Sequence, residues 1–189
     1  SSVRKDMVRT GKGSAHGLVF AQSLAWATMG QMEENGRDNM IHKVHPHKNR
    51  WDGVGPHNYK ENPGVFREVT KQILFDNEND LPVQFRYFQV EKNGFSSLEH
   101  HKHMHAVMIF KGKGHVLLGN QVYAVEEGDF LTIAPWQWHQ LRADRGEILG
   151  FLCLVNHDRD IPKYPTEDDL AEIRKNPEAA AFLDGTLKD

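Results

Sequence analysis

From residue 66 onward, apolar and polar positions alternate along the chain. Phe66 to Phe75 and Val83 to Val90 each follow a period of two, which predicts strands with one apolar face for a core. Between Ala106 and Pro135 the chain runs in short β-branched and aromatic stretches. These are cut by turn signals at Gly112-Lys113-Gly114, Gly119-Asn120 and Gly128-Asp129. Breaks at intervals of roughly ten residues are the rhythm of an antiparallel barrel or sandwich. A further apolar run, Ile148 to Val155, reads as a buried strand and holds Cys153, the one cysteine. Past Asp158 to Pro165 the pattern turns helical. Thr166 with Asp169 three residues on is a capping-box-like start, and Pro177 opens a second short helix.

Ahead of the strands the pattern is less regular. Gly17 to Gly30 predicts a short amphipathic helix or an arm packed on the barrel, because Gln22 and Ser23 interrupt its apolar run and argue against a secretory signal. Glu33 to Gly64 is polar, punctuated by Gly, Pro and Asn, and carries His42, His45, His47 and His57 with Trp51 and Tyr59. Such a long loop is usually functional or disordered. A second metal site, a lid over the barrel mouth and an arm on a partner subunit are the open readings. The histidine spacing follows no zinc pattern and has no cysteine, which favours lid or arm. The division is therefore an N-terminal arm or lid over 1–64, a barrel over 65–157 and a helical extension over 158–189.

Composition fits one domain. The chain has 189 residues, 39% of them hydrophobic, enough for a sizeable core without disulfides. One cysteine makes no internal disulfide, so a reducing cytoplasm is the expected location. A net charge of -3 without a concentrated basic face argues against nucleic acid. No run of apolar residues is long enough for a membrane-spanning helix. The expected partners are a small-molecule substrate and a second copy of the chain in a homodimer.

The chemistry is concentrated in Glu99-His100-His101-Lys102-His103-Met104-His105, joined by His139 behind Pro135 and two tryptophans. Neutral imidazoles and a carboxylate together suit a divalent transition metal. In one straight strand, side chains 99 and 105 would lie roughly 20 Å apart at about 3.3 Å per residue. Metal bonds of about 2 Å require ligand atoms far closer than that. The chain must therefore bulge or turn inside the motif, or one of these residues is a bystander.

These residues resemble the two motifs of the cupin superfamily, Gly-x5-His-x-His-x3,4-Glu-x6-Gly and Gly-x5-Pro-x-Gly-x2-His-x3-Asn. Counting back from Gly112 places His105 where the family has its glutamate, and His101 and Glu99 where it has its two early histidines. Gly128 and Pro135-Trp136-Gln137-Trp138-His139 supply the second motif, with Gln137 in the place of its glycine. The resemblance covers roughly residues 65 to 156. It implies an all-β fold, a single jelly-roll-like cupin barrel, and a metal held by Glu99, His101, His105 and His139.

His103 falls between ligand positions and is expected beside the metal site, while His100 points to the opposite face and is expected at the surface. Tyr87 and Arg86 join His103 as candidate catalytic groups. Trp136, Gln137, Trp138 and Arg142 are candidates for substrate contact, the tryptophans also reading as packing at the barrel mouth. The cofactor implied is one divalent transition metal per chain, iron first, with Mn, Zn, Ni or Cu as alternatives. The Pro-Trp-x-Trp-His form is similar to gentisate-type ring-cleaving dioxygenases, which implies an Fe(II) dioxygenase acting on a chelating enol, phenolic or hydroxy-acid substrate. A non-redox isomerase, decarboxylase or lyase is the second expectation, and a metal- or ligand-binding cupin without turnover the third.

Overall fold

The computed structural model describes residues 41–45, 47, 49–60 and 65–187, nearly all in a unit that begins at His42. The helix or arm expected over Gly17 to Gly30 lies outside these residues. The elements are β1 (Val44–His45), β2 (Arg50–Trp51), β3 (His57–Asn58), β4 (Arg67–Asp76), β5 (Val83–Phe95), β6 (His105–Leu118), β7 (Gln121–Glu126), β8 (Phe130–Ile133), β9 (His139–Ala143) and β10 (Leu149–Asn156). Helices α1 (Glu167–Ile173) and α2 (Pro177–Asp184) follow.

Closure is achieved by two long strands. β5 pairs with β4 on one side and with β10 on the other, from Val83↔Asn156 to Val90↔Leu149. β6 pairs with β10 and β8 over its first half, and with β7 and β9 over its second. β9 returns to β5 at Phe95↔Arg142, so the ring β5, β10, β6, β9, β5 has no free edge. Among the described residues the fold is a closed antiparallel barrel with added strands and two short helices. That is the architecture expected for strands whose inward residues alternate with outward ones.

The half-way switch in β6 falls where the chain reads Gly112-Lys113-Gly114. Gly112 has φ +76°, and a Cβ there would run into the Ile148 carbonyl. A residue without a side chain lets β6 change partners at this point. Inside the barrel, Val69, Phe88, Val90, Val107, Ile109, Val116, Ile133, Leu141, Leu149 and Phe151 form one core, with Cys153 buried among them.

A second cluster lies outside the ring, where Ile173, Ala179 and Phe182 of the helices cover Leu98 and Leu117. α1 starts with the expected capping box, the Thr166 hydroxyl accepting from Asp169 N and the Asp169 carboxylate from Thr166 N. α2 starts at Pro177 with Asn176 as cap and ends on left-handed Gly185. β5 departs from the one-faced pattern, because Arg86 to Val90 are buried on both faces. The outward Tyr87 is covered by Trp51, with ring centroids 4.8 Å apart.

Candidate metal centre

The motif that opens the site does not run as a strand. Glu99 and His139 face each other as a backbone bridge, His100 bridges to Lys163, and residues 101–104 form a turn before β6 begins at His105. This turn resolves the length problem posed by the spacing. One ring nitrogen each of His101, His105 and His139 lies within 4.8 Å of the others. Short strand β9, which pairs with β6, delivers His139 beside Glu99.

Backbone carbonyls set the imidazoles. His101 Nδ1 is 2.8 Å from the His103 carbonyl and His139 Nδ1 2.9 Å from the Gln137 carbonyl. Each ring thereby donates its Nδ1–H and leaves Nε2 as the lone-pair nitrogen. Nε2 of His101 and of His105 are buried without a hydrogen-bond partner. Burial and neighbouring imidazoles pull His101 down to about 4. His105 is pushed well below the ordinary histidine range by burial first and His139 next, and His139 is lowered by burial. Three converging imidazoles, two of them with a buried Nε2 that has no partner, fit a divalent transition metal, because coordination is what would satisfy those buried nitrogens.

Glu99, expected as the fourth ligand, stands on the same cavity wall, but its Oε2 is taken by the Lys60 ammonium and by the Ser97 hydroxyl at 2.5 Å. Burial alone would raise its carboxyl. Lys60 and Ser97 outweigh that and hold it below the usual range.

His103 stacks on His101 at 3.6 Å between centroids and faces the cavity. Its Nδ1 bonds Asp160 Oδ1 at 2.8 Å, while the other Asp160 oxygen accepts from Lys102 N at 2.7 Å. These bonds hold Asp160 far below the carboxylate range.

The cavity, about 250 Å³, has walls from both sides of the barrel. Tyr59, Lys60 and Lys71 come from the segment before β5. Arg86 and Phe88 come from β5, Phe151 and Cys153 from β10, and Arg159 and Pro162 from the chain beyond it.

Several expected residues are placed elsewhere. Tyr87 points away from the cavity on the opposite face of β5, its hydroxyl donating to Gln89 Oε1 at 3.1 Å. A period of two puts Arg86 inside and its neighbour outside. Arg142 also faces outward, with its guanidinium over Phe95 and Phe182 and a hydrogen bond to the Leu183 carbonyl. Trp136 is half exposed, Gln137 Oε1 accepts from Ala134 N, and Trp138 packs against the outer cluster under the helices. None of these three lines the cavity. His100, expected at the surface, is half-buried because it stacks on Trp138 at 3.9 Å and 4°.

Lys60, Ser97, Lys71 and Arg159 were missed from sequence, and Tyr59 was named only within the polar stretch read as a lid or arm. Only Lys71 carried a signal, as a charge on the apolar face of a two-period strand.

The profile of the family described as Cupin domain matches residues 86–155. A Rhodospirillum rubrum protein named 1-methylthio-D-xylulose 5-phosphate methylsulfurylase is 52% identical over 137 residues, 72% of this chain and 87% of that protein. The chain belongs to the cupin family. Among solved structures, a cupin-2 domain protein of Rhodospirillum rubrum superposes with a TM-score of 0.70 at 47% identity, covering 80% of this cupin and 99% of that chain. A cupin 2 conserved barrel protein of Rhodopseudomonas palustris gives 0.70 at 45% identity, covering 76% and 98%. Among the described residues of the cupin, no helix is long and apolar enough to cross a membrane.

Proposed function

We propose that this cupin is a metal-dependent enzyme of the methylsulfurylase type, acting on a small methylthio-ketose phosphate. His101, His105 and His139 would hold one divalent transition metal, with Glu99, held by Lys60 and Ser97, on the same cavity wall. The observation that carries the reading is the 52% identity to the Rhodospirillum rubrum methylsulfurylase across 87% of that protein. The orphaned imidazole nitrogens and the small, mixed apolar and cationic cavity are the chemistry such a reaction needs.

When bound, the ion supplies Lewis acidity that polarises a carbonyl or hydroxyl oxygen of the substrate. The chain's own groups surround that place. His103, oriented by Asp160, presents its other ring nitrogen to accept or return a proton at the carbon beside a carbonyl, and the carboxylate stabilises the imidazolium so formed. Lys60, Ser97 and Tyr59 form a connected set of donors beside Glu99 that can hold sugar hydroxyls. Phe88, Leu141 and Phe151 exclude water from the apolar side.

The test supplies 1-methylthio-D-xylulose 5-phosphate, with and without a thiol acceptor, to protein loaded in turn with Mn, Fe(II), Ni, Zn or Cu. Loss of the methylthio group is followed by mass spectrometry. Consumption with one or more metals, abolished in His139→Ala, is the expected result; no consumption with any metal overturns the reading. A second reading, the Fe(II) dioxygenase, is favoured by the Pro135-Trp136-x-Trp138-His139 form, although both tryptophans lie off the cavity. Oxygen uptake by the iron-loaded protein with enols and catechols tests it.

A further inference from the structure

One side of the cavity is built from cations without anions. Lys71, Arg86 and Arg159 all line it, and none makes an ion pair among the described residues. Arg86 is 8% exposed, its Nε has no hydrogen-bond partner, and its Nη2 reaches only the Cys153 sulfur at 3.2 Å. Arg159 is held from behind, donating to the Asn156 and His157 carbonyls at 3.1 and 2.9 Å and to Gln84 Oε1 at 2.8 Å.

Register explains the convergence. β4 places Lys71 opposite Phe88, and Arg86 sits between Ile73 and Cys153, so the lysine and the arginine face the barrel interior from neighbouring strands. The three charges repel. Burial, then Arg86, Arg159 and Lys60, lower the Lys71 ammonium, and Asp76 alone opposes them. By contrast Lys60, in the same cavity, is neutralised by Glu99.

A buried guanidinium left unpaired beside two further cations is strongly destabilising unless an anion joins them. Folding has kept the cluster and, among the described residues, no carboxylate forms an ion pair with it, Asp76 acting on it without contact, so the cluster's complement is a ligand.

We infer that Lys71, Arg86 and Arg159 form a subsite for the phosphate monoester of a small substrate whose other end reaches the three-histidine centre. The sugar part of this assignment rests on the methylsulfurylase reading; the anion part stands on the cations. A phosphate dianion offers acceptor oxygens for the planar arginine forks and the lysine ammonium together. The subsite and the metal centre share one cavity, with Arg86 close enough to bear on His105 and His103. A short phosphorylated chain therefore spans them.

The test is calorimetric titration of the metal-loaded protein with inorganic phosphate and with D-xylulose 5-phosphate, in wild type, Lys71→Met, Arg159→Gln and Arg86→Gln. Arg145→Gln, on the exposed surface, controls for net charge. Dissociation constants for both ligands should rise about tenfold or more in the cavity variants, the loss of one charge-assisted contact, with metal content unchanged. Arg86→Gln counts only if its circular dichroism matches wild type, and the other two variants carry the test without it. Phosphate binding that persists undiminished in Lys71→Met and Arg159→Gln is phosphate on the metal and overturns the subsite, as does an absence of binding in wild type.

The two readings separate cleanly. Weakened phosphate binding in the variants, together with no turnover of the methylthio substrate by wild type, keeps the subsite and removes the methylsulfurylase. Turnover with unaltered phosphate binding does the reverse.

Discussion

Burial lowers all three histidines of the cluster, and His101 and His139 are each aimed by a backbone carbonyl that takes the other ring nitrogen. Removing one ring therefore removes a donor without disturbing a hydrogen-bonded network. His101→Ala and His139→Ala should each lose most of the bound metal, read by elemental analysis, while keeping wild-type circular dichroism. His100→Ala should keep its metal and lose about 1 kcal/mol of stability, from its stack on Trp138. Full metal content in His139→Ala would undo the centre.

The Lys60 and Glu99 pair makes a different kind of claim. Glu99 is nearly buried, so Lys60→Met leaves a carboxylate without its cation and should cost about 2 kcal/mol in urea unfolding, Lys60 itself being partly exposed. Lys60→Met combined with Glu99→Met should recover much of that loss, because no buried charge is then left unmatched. A double variant as unstable as the sum of the singles would show that the two do not act as a pair.

Whole elements were legible in proportion to how far local chemistry set them. The strands over 67–76 and 83–95, the capping box at Thr166 and the Pro177 helix each announced themselves through a period or a cap. The histidine motif was legible for the same reason, since its four imidazoles are close in sequence. What could not be read was register. Tyr87 and Arg86 are adjacent and equally plausible in the chain, and only the facing of β5 against β4 and β10 sends one to the cavity and the other beneath Trp51. Lys60 and Arg159 arrive from residues far from the motif, Lys60 next to short β3, which the polar stretch before residue 64 gave no reason to expect. Trp136 and Trp138 carried two readings, packing and substrate contact, because a motif fixes spacing and not the side a ring takes, and Trp138 takes the packing one. Where conformation was demanded by geometry, a sharp prediction is available at this scale. Gly112→Ala forces a Cβ toward the Ile148 carbonyl at a positive φ, so it should lower stability by about 2 kcal/mol or more and disturb the partner change within β6. An unchanged denaturation midpoint would mean that the crossing tolerates a side chain.

At the scale of the molecule, the interior core and the outer cluster meet through the strands that carry the site. Leu98 directly precedes Glu99, Trp138 directly precedes His139, and both pack beneath Phe182 and Ile173. The helices therefore brace the backbone bridge between Glu99 and His139 from behind. Phe182 is fully buried, so Phe182→Ala should cost about 3 to 5 kcal/mol, the transfer loss plus the cavity left behind. A metal held by the three histidines would act on the same equilibrium from the other side. An ion that binds only the folded barrel stabilises it by about 2.7 kcal/mol at a hundredfold excess over Kd. A chelator should thus lower the thermal midpoint of wild type and of Phe182→Ala alike, because both keep all three histidines, and should leave His139→Ala where it already lies. If Phe182→Ala failed to respond to metal while still folded, bracing by the helices would be a condition of the site. If it responds as wild type does, the three histidines are held by the barrel alone, and the helices contribute stability and nothing more to the centre.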